Sequence, residues 1–186
     1  KDGARLLADA AAAGLAEPVG RAIDAIAAAL AARKPLLVCG NGGSAADAMH
    51  IAGELVGRYK RERAGLRAMA LGADAAVTTA GSNDYDYATV FSRQVEALGE
   101  AGGVVWGLST SGNSDNVLRA LDAGRGLGMT TVALTGRGGG RMAGRADILI
   151  AVPSADTPRI QEVHTCLYHF ICDSVETRLA PEAPRL

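Results

Sequence analysis

Two helix-forming segments each carry a pair of side chains that could transfer protons or bind a metal. His50 and Glu54 are four residues apart and share one face of a helix. Gln161 and His169, eight residues apart, also fall roughly on one face. The third histidine, His164, falls on a different face and is either a second-tier site residue or a core histidine. Either pair alone is more typical of a solvated surface, but together they supply two imidazoles, a carboxylate and an amide oxygen, which suit zinc binding or acid–base catalysis.

Two loops rich in glycine and hydroxyl groups predict a phosphate site. They read Gly-Asn-Gly-Gly-Ser at 40–44 and Ser-Thr-Ser-Gly-Asn-Ser at 109–114, and each joins an apolar strand-like run to a helical segment. Glycine lets backbone amides approach a ligand, and a helix N-terminus favours an anion. Alternatively, Ser114 caps its helix and the rest is turn chemistry. Two such loops following strands of one sheet favour a phosphorylated ligand.

The first loop also fits a dinucleotide-binding pattern, with glycine at 40 and 42 and alanine at 45. That pattern requires an acidic residue about 20 positions further on, at the end of the next strand. Glu62 stands at that distance, but it lies within the charged stretch 58–63, before the next strand candidate. A nicotinamide-dependent dehydrogenase is therefore a weak alternative.

A run of basic residues follows the His50 helix. It is either a solvated loop or a group of charges that steers an anionic substrate inward. Its members are Arg58, Lys60, Arg61, Arg63 and Arg67.

Short apolar runs alternate with helical segments along the chain, which predicts a parallel sheet covered on both faces. The strand candidates are 36–39, 104–108, 130–134 and 148–152, with 67–71 as a weaker fifth. The helix candidates are 5–13, 19–33, 44–58, 87–98, 114–127 and 158–179. We therefore expect an α/β fold: a three-layer α/β/α sandwich with a roughly five-stranded parallel sheet. It forms a single domain over 1–186, with N-terminal helices (1–33) used in oligomer packing and an α/β core at 34–180. Ligands of such sheets bind at the carboxyl ends of the strands.

Composition narrows the function classes. A net charge of -1 over 186 residues gives no argument for nucleic acid or an acidic membrane surface. No apolar run approaches the roughly 20 residues that cross a bilayer, and the N-terminus lacks a signal-peptide layout. The three cysteines, Cys39, Cys166 and Cys172, lack metal-type spacing and are interpreted as buried thiols in a reducing compartment.

The residues from about 20 to 178 resemble the phosphoheptose isomerases, a family of the sugar isomerase (SIS) fold. The motifs that carry the resemblance are Cys-Gly-Asn-Gly-Gly-Ser at 39–44, Asp-Ala-Met-His at 47–50, Glu54 and Leu55, Gly-Arg-Tyr at 57–59, Asn83 and Asp84, Ser-Thr-Ser-Gly-Asn-Ser at 109–114, and Arg-Ile-Gln-Glu-Val-His at 159–164 with His169. The segment 153–158 departs from the family's pattern in length and composition.

The resemblance implies a cytoplasmic homotetramer with active sites at subunit interfaces. It implies interconversion of sedoheptulose 7-phosphate and D-glycero-D-manno-heptose 7-phosphate through an enediol, the first step toward activated heptose, a lipopolysaccharide precursor. No nucleic acid or membrane partner is implied.

The resemblance also implies roles for individual residues. Glu54 and His169 would move protons between C1 and C2 of the sugar. The substrate would be bound by Asn41, Gly42, Gly43, Ser44, Asn83, Asp84, Ser109, Thr110, Ser111, Ser114 and Gln161. One zinc ion per subunit would be held by His50, Glu54, Gln161 and His169.

Two mechanisms fit these residues. In the first, Glu54 and His169 act as an acid–base pair without metal. In the second, zinc polarises the substrate oxygens and one ligand doubles as the base. A carboxylate bound to zinc is a weaker base than a free one, so the sequence leaves this choice open.

Two other functions are compatible with the fold. One is a non-catalytic SIS-domain protein of the replication-initiator-associating type, in which counterparts of Glu54 and His169 are expected to be missing; both are present here. The other is an SIS isomerase that acts on a different sugar phosphate.

Overall fold

The computed structural model describes residues 2–180; residues 1 and 181–186, the ends of the predicted domain 1–186, lie outside the described part. The helices are α1 (Asp2–Ala12), α2 (Ala16–Ala31), α3 (Gly43–Val56), α4 (Ala75–Asp84), α5 (Val90–Leu98), α6 (Asp115–Gly126) and α7 (Thr157–Leu179). The strands are β1 (Leu36–Cys39), β2 (Ala68–Ala70), β3 (Val104–Ser109), β4 (Thr130–Thr135) and β5 (Ile148–Ala151). Short 3-10 helices occupy Tyr87–Thr89 and Gly140–Gly144.

The five strands form one parallel sheet in the order β2-β1-β3-β4-β5. Leu36 of the central β1 lies opposite Ala68 on one side and Val104 on the other. The predicted parallel five-stranded sheet is confirmed, and its weakest candidate, 67–71, is the shortest strand.

Every residue of the central strand β1 is apolar and buried, so both faces of the sheet are covered there. Leu36 and Val38 belong to a core shared with helices α2, α3 and α7. Leu37 and Cys39 point the other way, into a core shared with α5 and α6. These two cores confirm the three-layer sandwich, since successive strand residues face opposite sides of a sheet.

The N-terminal helices add to the layer that contains α7. In α2 the buried positions Val19, Ile23, Ile26 and Leu30 recur every three or four residues, which makes one apolar face. Helix α1 buries Leu6 and Ala10 in a smaller core that includes residues of α7.

Helix α4 was not predicted. Its sequence is rich in Ala, Thr and Gly, and none of its residues is buried, so no apolar period marks it. The side chain of Asp74 caps it by accepting hydrogen bonds from the amides of Ala76 and Val77 at 2.8 and 3.1 Å.

The cysteine interpretation is correct for two residues and wrong for the third. Cys39 and Cys172 are buried, and burial raises the pKa of each thiol to about 12. Cys166 is exposed, because its position on α7 faces away from the sheet-facing core residues.

Among residues 2–180, no helix has the length and apolar character that crossing a membrane requires.

Candidate active site

A cavity of about 260 Å³ lies at the carboxyl ends of β1 and β3. The two predicted loops meet here, since parallel strands bring their carboxyl ends to one edge of the sheet. The lining residues are Asn41, Gly43, Ser44, Leu108, Ser109, Thr110, Ser111, Ser114, Thr157 and Gln161. The wall offers hydroxyl and amide groups from Ser, Thr, Asn and Gln side chains, and the lining contains no Asp or Glu. An anion in the cavity would therefore meet hydrogen-bond donors and no carboxylate.

Serine hydroxyls face one another across the second loop. Ser109 Oγ lies 2.9 Å from Ser114 Oγ and 3.4 Å from Ser111 Oγ. Ser114 occupies the N-cap position of α6, but its side chain makes no capping hydrogen bond, so the capping alternative is wrong. These hydroxyl groups hydrogen-bond to one another, and each can rotate to donate to a phosphate at the start of the helix instead.

An amide pair fixes the first loop against α6. Asn41 Nδ2 donates to Asn116 Oδ1 at 2.9 Å, and Asn116 Nδ2 returns a bond to Asn41 Oδ1 at 2.8 Å. The Tyr87 hydroxyl donates to the same Asn41 oxygen at 2.7 Å. Because both lone pairs of Asn41 Oδ1 are engaged, this side chain has only one N–H left to offer a ligand. Sequence analysis did not single out Asn116 or Tyr87, since neither lies near Asn41 in the chain.

Three ligating side chains come together two turns further along α3 and α7. The Nε2 atom of His50 lies 2.9 Å from Glu54 Oε1 and 3.4 Å from Nε2 of His169. The three ligand atoms all lie within 4.8 Å of one another. Two imidazoles and a carboxylate at this separation fit zinc, which takes nitrogen and oxygen ligands at about 2 Å.

A second layer of contacts orients His50. The Tyr168 hydroxyl is hydrogen-bonded to His50 Nδ1 at 2.9 Å, which leaves Nε2 to face Glu54 and His169. Burial raises the pKa of Tyr168, so its hydroxyl stays protonated. Burial also raises the pKa of Asp47, which is opposed by a hydrogen bond with Tyr168 and by the charge of His50. Sequence reasoning gave no role to Asp47 or Tyr168, although each is within three residues of a histidine of the site.

The environment of His169 favours its neutral form. Burial first, and then the positive charge of His50, lower the pKa of His169. The ring of Tyr59 stacks on His169, with centroids 5.5 Å apart and planes 20° from parallel. A neutral imidazole near pH 7 has a free nitrogen for a proton or a metal.

Gln161 lies in the cavity wall beside the start of α3. A Cβ at Gly43 would lie 2.9 Å from Cδ of Gln161, so glycine at this position leaves room for the Gln161 side chain in the wall. Thr157 is a further wall residue, absent from the predicted set, and its Oγ1 lies 3.3 Å from Thr110 Oγ1. It belongs to the segment whose composition departs from the family's pattern, so the resemblance gave no signal for it.

Three predicted substrate-binding residues lie outside the cavity lining. Gly42 is exposed at the N-cap of α3, with φ of 56°. Asn83 and Asp84 are exposed at the end of α4, where Asn83 Nδ2 donates to Asp84 Oδ1 at 2.8 Å. Their contact with a sugar stays a prediction.

Comparison with known proteins agrees with the sequence motifs. The sequence profile of the SIS domain matches residues 1–136. The phosphoheptose isomerase of Helicobacter pylori strain P12 is 54% identical over 145 residues, covering 78% of this chain and 76% of that protein. The phosphoheptose isomerase of Geobacter sulfurreducens is 52% identical over 167 residues, covering 90% of this chain and 88% of that protein. This chain belongs to the phosphoheptose isomerase family of SIS-domain proteins.

The fold of the family extends beyond residue 136. The structure of phosphoheptose isomerase from Neisseria gonorrhoeae superimposes with a TM-score of 0.89 at 43% identity, covering 95% of this chain and 94% of that chain. About nine of the 186 residues lie outside the superposition. Helix α7 has 23 residues, so these nine could account for less than half of it. The superposition therefore takes in most of the helix that carries Gln161 and His169.

In this member of the phosphoheptose isomerase family, the basic residues that follow α3 do not form one solvated loop. The Arg63 side chain is only 5% exposed and lies 3.1 Å from the fully buried carboxylate of Glu176. Lys60 forms an ion pair with Asp173 at 3.0 Å. Arg58 keeps the predicted solvent exposure. The prediction is wrong for Arg63 because its partner lies far along the chain, on α7.

His164 is a core histidine of the family fold. It is 0% exposed, and its Nε2 is hydrogen-bonded to the backbone oxygen of Thr135 at 3.1 Å. Burial lowers the pKa of His164 to about 4, so the ring is neutral at pH 7. This residue supports the end of β4 and does not reach the cluster of His50, Glu54 and His169.

Proposed function

We propose that the protein interconverts sedoheptulose 7-phosphate and D-glycero-D-manno-heptose 7-phosphate, the first step toward activated heptose. The observation that carries this proposal is the placement of a hydroxyl-lined anion cavity beside the His50–Glu54–His169 cluster. Relatives at about half identity are named phosphoheptose isomerases, which agrees with the proposal.

The spacing of the two sites suits a seven-carbon sugar phosphate. Gly43 lines the cavity and His50 follows it by seven residues on the same helix, a rise of about 10 Å. An extended heptose phosphate has a comparable length from its phosphorus to its C1–C2 bond. The phosphate would lie among Ser44, Ser109, Thr110, Ser111 and Ser114, with C1 and C2 at the cluster.

Binding at the phosphate end orients the reacting carbons, which are several bonds away. Gln161 and Asn41 line the cavity, and the Gln161 side chain and the remaining N–H of Asn41 would contact hydroxyl groups of the sugar. Asn83 and Asp84, exposed at the end of α4, would reach the sugar from outside that wall.

The isomerisation moves one proton between neighbouring carbons. A base removes a proton from C1 of the ketose, the C1–C2 double bond of the enediol forms, and the C2 carbonyl oxygen gains a proton. Reprotonation at C2 and loss of the O1 proton then give the aldose. Glu54 and His169 would carry these protons, and the lowered pKa of His169 suits a base that must be neutral near pH 7.

The residues fit one zinc ion per subunit. His50, Glu54 and His169, whose ligand atoms lie within 4.8 Å of one another, would hold it. Gln161 lines the cavity on the same helix as His169, and it would be the fourth ligand if its side chain turns toward the cluster. When bound, zinc would polarise the two oxygens on C1 and C2 and stabilise their developing negative charge. With Glu54 and His169 both engaged as ligands, each would be a weaker base than in the metal-free protein.

We propose a homotetramer whose active sites lie at subunit contacts. Large apolar side chains stay exposed on α1 and α7, with Leu7 39% exposed and Phe170 59% exposed. Apolar surface of this kind is typical of an interface, so the helices of 1–33 would pack between subunits. Three free cysteines suit a reducing compartment such as the cytoplasm.

The test follows conversion of sedoheptulose 7-phosphate by NMR, using protein treated with a chelator and then assayed with and without zinc. We expect aldose formation that is lost in Glu54→Gln and His169→Gln. Glu96→Gln, an exposed carboxylate on α5, is the matched control and should keep the wild-type rate. Zinc dependence would decide between the two mechanisms.

No conversion by a folded wild-type protein in either condition would overturn the assignment. Conversion of another ketose phosphate in its place would keep the isomerase chemistry and change the substrate.

A further inference from the structure

One buried carboxylate on α7 is hydrogen-bonded to three consecutive residues of the loop that follows α3. Glu176 is 0% exposed, and its two oxygens accept hydrogen bonds from three consecutive backbone amides. The amides belong to Tyr59, Lys60 and Arg61, at 2.9, 2.7 and 2.9 Å. Since these bonds join backbone amides to a charged acceptor, they tie residues 59–61 to α7.

The same carboxylate reaches the end of α3 through Arg63. Arg63 Nε lies 3.1 Å from Glu176 Oε1. Its guanidinium donates to the backbone oxygens of Glu54 and Leu55 at 2.9 and 2.8 Å. These carbonyls are in the last turn of the helix, where no further turn supplies amide partners. Arg63 thus caps α3 at the residue that carries the carboxylate of the candidate site.

Both connections lead to the reacting pair. Tyr59, held by Glu176, stacks its ring on His169. Arg63, also held by Glu176, bonds the backbone of Glu54. Glu176 itself follows His169 by seven residues, two turns along α7. One buried charge therefore joins the helix of Glu54 to the helix of His169.

Stability alone is a poor reason for this arrangement. A buried ion pair loses the hydration of both charges, and an apolar pair of similar volume is often as stable. Neighbouring α7 residues Ile171, Cys172 and Val175 are buried in the apolar core, so apolar packing is available at this position. What the ionic network adds is a fixed distance between two backbones.

We propose that Glu176, acting through Arg63 and the loop 59–61, is a positioning residue that sets the separation of Glu54 and His169. The inference rests on the proposed function, because the positioned pair matters only if it transfers protons or holds a metal. Glu176 itself does not touch the reacting atoms.

The test uses Glu176→Gln and Arg63→Lys in the full-length protein. Each variant keeps approximate size but removes either the charge or the forked donor. Asp147→Asn is the control, since Asp147 Oδ2 also accepts a backbone amide bond, from Thr131 at 2.8 Å, but stands at the opposite edge of the sheet. The measurements are kcat and KM for sedoheptulose 7-phosphate, melting temperature, and zinc affinity by competition with a chromophoric chelator.

We expect kcat and zinc affinity to fall by about 10- to 100-fold in both test variants, as for other residues that orient metal ligands without contacting the metal. KM should change little, because the phosphate cavity is at the other ends of α3 and α7. Asp147→Asn should lower the melting temperature and leave kcat and zinc affinity unchanged.

Wild-type kcat and zinc affinity in a folded Glu176→Gln protein would overturn the proposal. An equal loss of kcat in Asp147→Asn at a similar fall in melting temperature would also overturn it, because the loss would then follow stability alone. If Glu176→Gln fails to fold, Arg63→Lys carries the same comparison. If the wild-type protein converts no sugar, the proposed function fails, and the zinc affinities still decide whether Glu176 positions the cluster.

Discussion

The Nε2 atoms of His50 and His169 lie 3.4 Å apart, although 119 positions separate the two residues in the chain. Two ring nitrogens at this distance can share a proton or ligate one cation. Glu54 supplies the third ligand atom of the group. Metal binding by these three residues can therefore be tested by titration, without an activity assay.

The first prediction is that the wild-type protein binds one zinc ion per chain, and that His50→Gln weakens the affinity strongly. The physical reason is loss of one of two imidazole ligands, since an amide is a poor zinc ligand. Calorimetric titration of the chelator-treated protein measures it. Cys166→Ser is the control, because Cys166 offers an exposed thiol on α7 outside the cluster of His50, Glu54 and His169. Zinc affinity that falls in Cys166→Ser and not in His50→Gln would place the ion elsewhere.

The second prediction concerns the hydroxyl that holds the other nitrogen of His50. Tyr168→Phe removes the bond to Nδ1 at 2.9 Å and leaves the ring in place. We expect zinc affinity to fall by about 10- to 100-fold, because Nδ1 partners fix the tautomer and the orientation of ligating histidines. The same titration measures it. Unchanged affinity in Tyr168→Phe would show that His50 is oriented by its packing alone.

The third prediction is a loss of phosphate affinity in Ser114→Ala. The hydroxyl of Ser114 pairs with that of Ser109 and caps no helix, so it is available to an anion. A hydrogen bond to a charged group accounts for a change in KM of about 10- to 100-fold, with a smaller change in kcat. Steady-state kinetics with sedoheptulose 7-phosphate measures both. Ser92→Ala removes a buried hydroxyl of α5 that donates to the backbone oxygen of Thr89, and it should leave KM unchanged.

Much of the fold was accessible from the sequence because single segments carry its signals. The run Leu36–Cys39 is apolar throughout and is a strand buried on both faces. The pair His50 and Glu54 forms the predicted helical contact, at 2.9 Å, because four residues are one turn of helix. Such local periods need no knowledge of the rest of the chain.

Contacts between distant segments were not accessible in this way. The basic run gave no sign that Arg63 is buried, because its partner Glu176 lies on the last helix. Asn116 and Tyr87 reach Asn41 from two other elements. These interactions depend on how the elements pack, which composition and spacing do not specify.

The fourth prediction tests the close approach of α3 and α7. In Gly43→Ala the new methyl group would lie 2.9 Å from Cδ of Gln161 and closer still to its amide nitrogen. We expect the Gln161 side chain to move out of the cavity wall, with raised KM and weaker zinc binding but a folded protein, since a long side chain yields more easily than a backbone. Gly126→Ala on α6, where a Cβ meets nothing within 4 Å, is the matched control. Wild-type kinetics in Gly43→Ala would show that Gln161 has no role in the site.

The last prediction concerns acid stability and rests on His164. Its ring is fully buried, and burial lowers its pKa from 6.5 to about 4. Between these two pH values the unfolded chain binds a proton that the folded chain excludes, so stability is greatest above pH 6.5 and is lost as the pH falls toward 4.

We therefore expect the free energy of unfolding to fall by about 3 kcal/mol from this residue across that window, since each pKa unit corresponds to about 1.4 kcal/mol. Urea titrations at several pH values measure it. His164→Gln should be less stable at pH 7 but should lose this part of the acid dependence, because an amide does not titrate. Cys166→Ser, an exposed change on the same helix, should keep the wild-type slope. An equal slope in His164→Gln would assign the acid sensitivity to other groups, such as the half-buried His169.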